Sequence, residues 1–338
     1  MTRRARAPPA VFSERSFHAW LARDAAPSAS APLPIGDDAA AVRLRPGRAA
    51  LLTTDALVEG LHFLPTSPPL LVGRAAAAVS LSDVAAKGGR PVALLLDLLI
   101  PPDTPPAWAR AVARGAREEM RRWGAELVGG DTKPSATRAV VGSILAESAG
   151  TRFAPRSGAR VGDDLLLTGT AGRGGAAAAR LGRGTPTAST VRALLAVEPR
   201  LAEGQALVRF ADAMLDTSDG LAESARLLAQ ASGVRVEVDL SQVPVDPAID
   251  RIRSRAGREA ALFFGGDYEL LAAVPPNRTP AAIRAVERGG GRATVIGRVD
   301  RGRGAFLRRG ASIVAMPSPG WDPFVWAGRR VWVSHSVG

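Results

Sequence analysis

The sequence predicts an α/β (α+β) protein built as two domains. Three observations carry this expectation. Strand-like and helix-like apolar runs alternate along the whole chain. The 338 residues suffice for one large or two ordinary domains, with ample chain to bury a core. Residues 149–162 are polar, glycine-bearing and interrupted by a proline, as a domain boundary is. Residues 1–150 and 151–338 are therefore the expected domains.

Within the first domain, residues 13–22 form a candidate amphipathic helix, followed by a loop rich in Ala, Pro and Ser. Residues 49–54 read as a strand, and 72–87 as a helix ended by Gly88-Gly89. The continuous apolar run 92–100 reads as a buried strand. Residues 105–123 form a helix with proline in its first turn, and 126–128 and 139–147 are further strands. In the second domain, strands are expected near 164–168, 213–216, 234–239, 269–274 and 294–299. Helices are expected near 175–181, 199–211, 221–231 and 280–287. The halves match in size and element content but share no residue-level repeat.

Composition excludes several classes. Without cysteine there is no disulfide framework, zinc ribbon, cysteine nucleophile or thiolate-bound cluster. The 44 basic and 32 acidic residues leave a net charge of +12, which raises nucleic acid as a partner. Only two of the 44 are lysines, Lys87 and Lys133, and the arginines are spread through a chain heavy in Ala, Gly and Pro. That is a compositional bias without a binding stripe or aromatic platform, so no nucleic-acid partner is expected. Arg3, Arg4 and Arg6 are not followed by the apolar region of a signal. The apolar run 91–102 is broken by Asp97 and too short to span a bilayer. A soluble, cytoplasmic chain with no membrane partner is the expectation.

The informative feature is a set of aspartates beside glycines or at the ends of apolar runs. They occur in Ile35-Gly-Asp-Asp38, Thr53-Thr-Asp55, Leu81-Ser-Asp83, Gly129-Gly-Asp131, Asp216-Thr-Ser-Asp-Gly220 and Gly265-Gly-Asp267. Singly, an Asp-Gly pair is a turn and a Ser-Asp pair a helix cap. Together, strands ending in carboxylates would gather them at the mouth of a sheet, where they repel unless cations lie between them. Oxygen-only ligands suit Mg²⁺, and Mg²⁺ held by one or two carboxylates plus substrate phosphates is the arrangement of phosphoryl transfer.

Other motifs offer less. No P-loop is present, because neither lysine lies in Gly-Lys-Ser/Thr. Gly172-Arg-Gly174-Gly-Ala-Ala177 fits a loose dinucleotide fingerprint but lacks the acid that should follow, and reads as a tight strand-to-helix turn. Of His18, His62 and His335, only His62 in Glu59-Gly-Leu-His-Phe63 neighbours a candidate motif. Ser218 lacks the flanking glycines of a nucleophile elbow. Trp321, in a Pro-Gly-Trp-Asp-Pro turn, is placed either to cap a ligand or to pack on the domain.

In order, these motifs resemble those of the thiamine-monophosphate kinases. The resemblance rests on Ile-Gly-Asp-Asp-Ala, Thr-Thr-Asp-Ala-Leu-Val-Glu-Gly-Leu-His-Phe, Leu-Ser-Asp-Val-Ala-Ala-Lys-Gly-Gly, Gly-Gly-Asp-Thr, Asp-Thr-Ser-Asp-Gly-Leu and Gly-Gly-Asp-Tyr-Glu-Leu. It runs from about Phe17 to Trp321. It implies the two-domain aminoimidazole ribonucleotide synthetase-like fold, an N-terminal domain that dimerises through its sheet, and a C-terminal α/β domain. It also implies ATP and thiamine monophosphate as substrates, with several Mg²⁺ ions.

Residue by residue, Asp38, Thr53, Thr54, Asp55, Asp83, Asp131, Asp216 and Asp219 resemble the magnesium ligands. Gly130, Asp131, Arg156 and Ser218 resemble nucleotide contacts, and Asp83, Asp131 and Arg156 the catalytic group. His62 and Trp321 resemble substrate contacts. One position departs: the family reads Gly-Gly-Glu-Asp-Tyr-Glu-Leu, and Gly266 stands where its substrate-touching Glu would be. Either Asp267 or Glu269 then substitutes for that carboxylate, or the preferred substrate differs; because the aspartate set and His62 are intact, a working thiamine-monophosphate kinase with altered substrate contacts is the expectation. The reaction implied is direct in-line transfer of phosphate from ATP to thiamine monophosphate. The rivals are another ATP-using synthetase of the superfamily, or a non-catalytic nucleotide or nucleic-acid binder.

Overall fold

The structure is a computed structural model, and it describes Trp20 and residues 49–148, 153–181 and 186–317. Asp38, Trp321 and, apart from Trp20, the expected first helix lie outside the described residues. The first sheet contains β1 (Ala50–Val58), β2 (Arg90–Ile100), β3 (Glu126–Gly129), β4 (Thr132–Pro134) and β5 (Ala139–Glu147). Its order is β1-β5-β2-β3, with β4 also paired to β2. β1 and β2 are antiparallel to β5, whereas β3 and β4 run parallel to β2. Two helices cover its inner face, α1 (Pro69–Ala86) and α2 (Pro106–Arg122).

The second sheet has seven strands in the order β12-β11-β8-β10-β6-β9-β7. They are β6 (Asp164–Thr168), β7 (Ala213–Asp216), β8 (Arg235–Asp239), β9 (Leu270–Val274), β10 (Ala293–Asp300), β11 (Gly304–Arg309) and β12 (Ser312–Ala315). All neighbours are antiparallel except β11 and β8. The helices are α3 (Arg173–Leu181), α4 (Ala188–Leu195), α5 (Leu201–Leu207), α6 (Leu221–Ser232), α7 (Arg255–Leu262) and α8 (Thr279–Arg288). A short 3₁₀ turn spans Pro247–Arg251. Antiparallel pairing with helices on both faces makes the second unit α+β.

α1 is the hinge of the architecture. Thirteen of its residues are buried, including the run Ala75–Ala78, so it is apolar on every side rather than on one stripe. By length and composition it could cross a membrane, but it is packed between the two sheets. One apolar cluster joins its Val72, Leu81 and Val84 to Leu94 and Ile144 of the first sheet and to Met214 and Leu270 of the second. A separate cluster fills the opposite face of the second sheet, under α6 and α7.

Several expectations shift. β1 does not stop at Thr54: its ladder with β5 continues to Val58↔Ala139. β4, α4, α7, β11 and β12 were not foreseen. β11 was hidden because Arg308 breaks its apolar alternation; that guanidinium pairs with the buried Glu237 across the sheet. The 172–177 fingerprint is a packing device, because a Cβ on Gly174 would come within 2.1 Å of the Gly265 carbonyl oxygen. The glycine lets α3 sit directly on the 265–268 loop.

Candidate active site

The site is assembled where α1 crosses from the first sheet to the second. On β1, Thr53 and Asp55 face α1, since alternate residues share a face. Thr53 Oγ1 donates to Asp83 Oδ2 at 2.5 Å, which ties β1 to the last turn of α1. One residue earlier on α1, Ser82 Oγ donates to Asp216 Oδ2 at 2.6 Å, at the end of β7. Ser218 Oγ donates to the other oxygen of Asp216 at 2.9 Å. Consecutive helix residues therefore engage different sheets, Asp83 accepting from β1 and Ser82 donating to β7.

Electrostatics shows how close these acids are. Burial, and then the Asp83 charge, push Asp55 up to about 7. Burial and Asp83 also raise Asp216, against hydrogen bonds from Ser82 and Ser218 that lower it. Asp55 Oδ2 is buried with no hydrogen-bond partner. An orphaned carboxylate oxygen beside two other acids fits a cation. Among the described residues, however, no group of three or more acids or histidines is placed to hold one ion. The donor set thus suits Mg²⁺, which takes one or two carboxylates and completes its shell with water and phosphate.

Other expected ligands are placed differently. Thr54 points to the outer face of the sheet, where its hydroxyl meets Ser143 Oγ at 2.8 Å, so its side chain is not aimed at Asp83. Thr53-Thr-Asp55 does not end its strand either, but sits in the middle of β1. Gly130 and Asp131 join β3 to β4; the Asp131 N–H donates to Asp97 and its carboxylate pairs with the Lys133 ammonium at 2.7 Å. Asp219 lies in the turn before α6, and Arg156 in the exposed segment before β6.

A cleft opens beside Ser218, the partner of Asp216, lined by His62, Ser218, Gly266 and Tyr268 together with apolar side chains such as Leu57, Val79 and Leu194. Three residues singled out from sequence, one from the first sheet's loop and two from the second unit, thus share one cavity. The His62 loop is closed by Gly60 N–H donating to the Phe63 carbonyl at 2.8 Å. The Val58 N–H donates to His62 Nδ1 at 3.0 Å, so the neutral ring carries its proton on Nε2.

Burial pushes His62 down to about 4. The unfolded chain then binds a proton from about pH 6.5 downward, while the folded chain does so only near 4. Stability present at pH 7 is lost as pH falls through that window, by about 1–2 kcal/mol at pH 5. The wild-type melting temperature should fall more between pH 7 and pH 5 than that of His62→Leu; equal falls would contradict this.

The departure at Gly266 lies in the 265–268 loop. Gly266 has φ +78° and Tyr268 φ +57°, the only non-glycine in that region among the described residues. Neither proposed stand-in faces the cleft. Asp267 is buried and accepts the N–H groups of Gly172 at 2.6 Å and Gly174 at 2.9 Å. Glu269 is buried and chelated by Arg200 Nε at 2.7 Å and Nη2 at 2.6 Å. The expectation that one of them replaces the missing carboxylate is corrected. Both anchor the loop, and Tyr268, the only tyrosine of the chain, is held between them at the cleft wall. Because Gly266 is left-handed, Gly266→Glu should cost about 1–3 kcal/mol, read as a lower melting temperature. An unchanged melting temperature would show that the loop relaxes.

Sequence reasoning missed Lys87, Ser82 and Tyr268 as parts of this site. Lys87 was findable, as one of two lysines, directly after the Ser-Asp helix. Its Nζ donates to the Met214 carbonyl at 2.9 Å. Burial and the Arg156 charge push it down to about 8, while Asp216 and Asp83 pull it back.

Two sheets with α1 packed between them, and Asp55, Asp83 and Asp216 gathered near its end, define the class. Models of the AIR synthase related protein N-terminal and C-terminal domains match residues 36–146 and 160–309. The thiamine-monophosphate kinase of Halobacterium salinarum is 39% identical over 266 residues, 78% of this chain and 87% of that protein. The crystal structure of thiamine-monophosphate kinase from Stenotrophomonas maltophilia superposes with a TM-score of 0.76 at 29% identity, covering 88% of this chain and 96% of that one. AaThiL complexed with AMPPCP and TMP gives a TM-score of 0.69 at 32% identity, covering 81% of this chain and 88% of that chain. The chain belongs to the thiamine-monophosphate kinase family.

Proposed function

We propose that this chain transfers the terminal phosphoryl group of ATP to thiamine monophosphate, forming thiamine diphosphate and ADP. One observation carries the reading: the cleft that holds His62 ends on Ser218, and Ser218 is hydrogen-bonded to Asp216. A cavity fit for an apolar ring system thus adjoins, through Ser218, an acidic cluster fit for phosphates and cations. Membership of the family and the relative complexed with AMPPCP and TMP support it.

The acceptor is a phosphate oxygen with a second pKa of about 6, already ionised at neutral pH. No general base is needed, which suits a site whose one histidine is held neutral by burial. The chain's task is to hold two anions in line and to offset their repulsion. Leu57, Val79 and Leu194 would seat the thiamine rings, with His62 Nε2–H as a donor beside them. Ser82 and Ser218 fix Asp216, and Thr53 fixes Asp83, so neither carboxylate must reorganise when phosphate arrives. Asp55, Asp83 and Asp216 would hold Mg²⁺, joined by Asp38, Asp131 and Asp219 as the family resemblance implies. When bound, Mg²⁺ supplies charge neutralisation on the phosphate oxygens. Arg156 adds positive charge from the second unit, and Gly130 and Ser218 contact the nucleotide.

Domains at 1–150 and 151–338, with the reaction at their junction and in the cytoplasm, complete the reading. The outer face of the first sheet supports a homodimer, because Leu52, Leu95 and Leu99 are all exposed on it. Light scattering at low micromolar concentration should give about twice the 35.1 kDa monomer mass. A fully active monomer would remove the dimer. The function itself is tested by supplying ATP, Mg²⁺ and thiamine monophosphate and looking for thiamine diphosphate. ATP consumption without that product would transfer the chain to a synthetase-like activity.

A further inference from the structure

Lys87 caps the C-terminus of α1 with its backbone, and its side chain crosses to the second sheet. There Nζ meets the Met214 carbonyl, while the Met214 N–H donates to the Pro155 carbonyl at 2.9 Å. The ammonium and the peptide just before Arg156 are thus fixed to the same residue of β7. Asp216 lies two positions further along that strand, on the same face.

An ammonium has three donors, and among the described residues the Met214 carbonyl occupies one. Among the same residues neither Lys87 nor Arg156 lies in an ion pair. The nearby carboxylates already have partners: both oxygens of Asp216 accept from serines, and Asp83 Oδ2 accepts from Thr53. Asp216 and Asp83 attract this partly buried ammonium while Arg156 repels it, and with two donors unspent among the described residues it is placed to donate to an anion's oxygen. Ser218, which donates to Asp216, lines the cleft, so the strand that Lys87 reaches ends beside it.

Resting on the ATP-dependent reading above, we propose that Lys87 is a further catalytic residue, its ammonium contacting the β,γ end of the triphosphate opposite Arg156. As a point charge it would offset the negative charge on the phosphoryl oxygens during transfer. A merely structural role is the alternative: a strut joining α1 to β7.

Calorimetry with the full chain in saturating Mg²⁺ at low ionic strength separates the two. Lys87→Met should weaken AMPPCP binding about tenfold and leave adenosine binding unchanged, with Lys87→Arg recovering part of the loss. Equal AMPPCP affinity in wild type and Lys87→Met overturns the proposal. So does parallel loss of AMPPCP and adenosine binding with a lowered melting temperature, which is what a strut predicts. If Lys87→Met does not fold, the wild type labelled with ¹³C at lysine Cε serves instead, because the chain has two lysines. The signal absent from Lys87→Arg should shift with AMPPCP and stay still with adenosine; no shift at saturation overturns the proposal. A wild type that binds no AMPPCP at all removes the ATP reading and this inference with it.

Discussion

Asp83→Asn and Asp216→Asn should each lower ATP-dependent turnover about 10³-fold and leave the chain folded. Asparagine keeps the size of the side chain and one carbonyl oxygen. The Thr53 hydroxyl still has an acceptor at position 83, and the Ser82 and Ser218 hydroxyls can rotate to suit an amide at 216. What disappears is a negative charge facing Mg²⁺ and phosphate. Stability should move the other way for Asp55→Asn. That carboxylate is disfavoured by burial and by Asp83, and one of its oxygens has no partner. In metal-free buffer the substitution should raise the melting temperature by a few degrees, while activity falls. Steady-state ADP release and thermal melts in EDTA measure both effects. Near-normal turnover in Asp83→Asn and Asp216→Asn would show that the acids do not serve the reaction.

Arg200→Met should destabilise the fold by about 3–5 kcal/mol, a drop in melting temperature of roughly 10 °C. Arg200 is the only cation chelating Glu269 among the described residues, and Glu269 also accepts the Thr168 hydroxyl at 2.8 Å. Removing the arginine leaves a buried carboxylate facing apolar β6 and β9. Burial already raises the Glu269 pKa despite Arg200, and the loss of Arg200 would raise it further. The folded state then binds a proton over a pH range where the unfolded state does not. Stability of the variant should therefore fall as pH rises above about 4.5, so the deficit is larger at pH 8 than at pH 5. Arg200→Met/Glu269→Gln should recover most of the loss, because no buried charge remains. If the double variant is as unstable as the single one, Arg200 acts through packing and not through the ion pair.

The sequence by itself determined the class of architecture, most elements and the identity of the acids. Apolar periodicity is local, so runs such as 92–100 and 139–147 are readable as strands without knowing their neighbours. Aspartates next to glycine or serine are likewise visible one by one. What it hid includes residues chosen by distant partners: Arg308 in the unforeseen β11 answers Glu237, and Gly174 in the expected α3 answers a loop ninety residues on. Only the tertiary structure decided which acids converge. Asp83 and Ser82 are adjacent on α1 yet address different sheets, a consequence of a helix buried on every side. It also decided that Thr54 faces away from Asp83, that Asp267 and Glu269 serve the loop and not the cleft, and that Lys87 reaches β7. Side-chain direction, burial and pairing depend on contacts between segments far apart in the chain, and no local pattern encodes them.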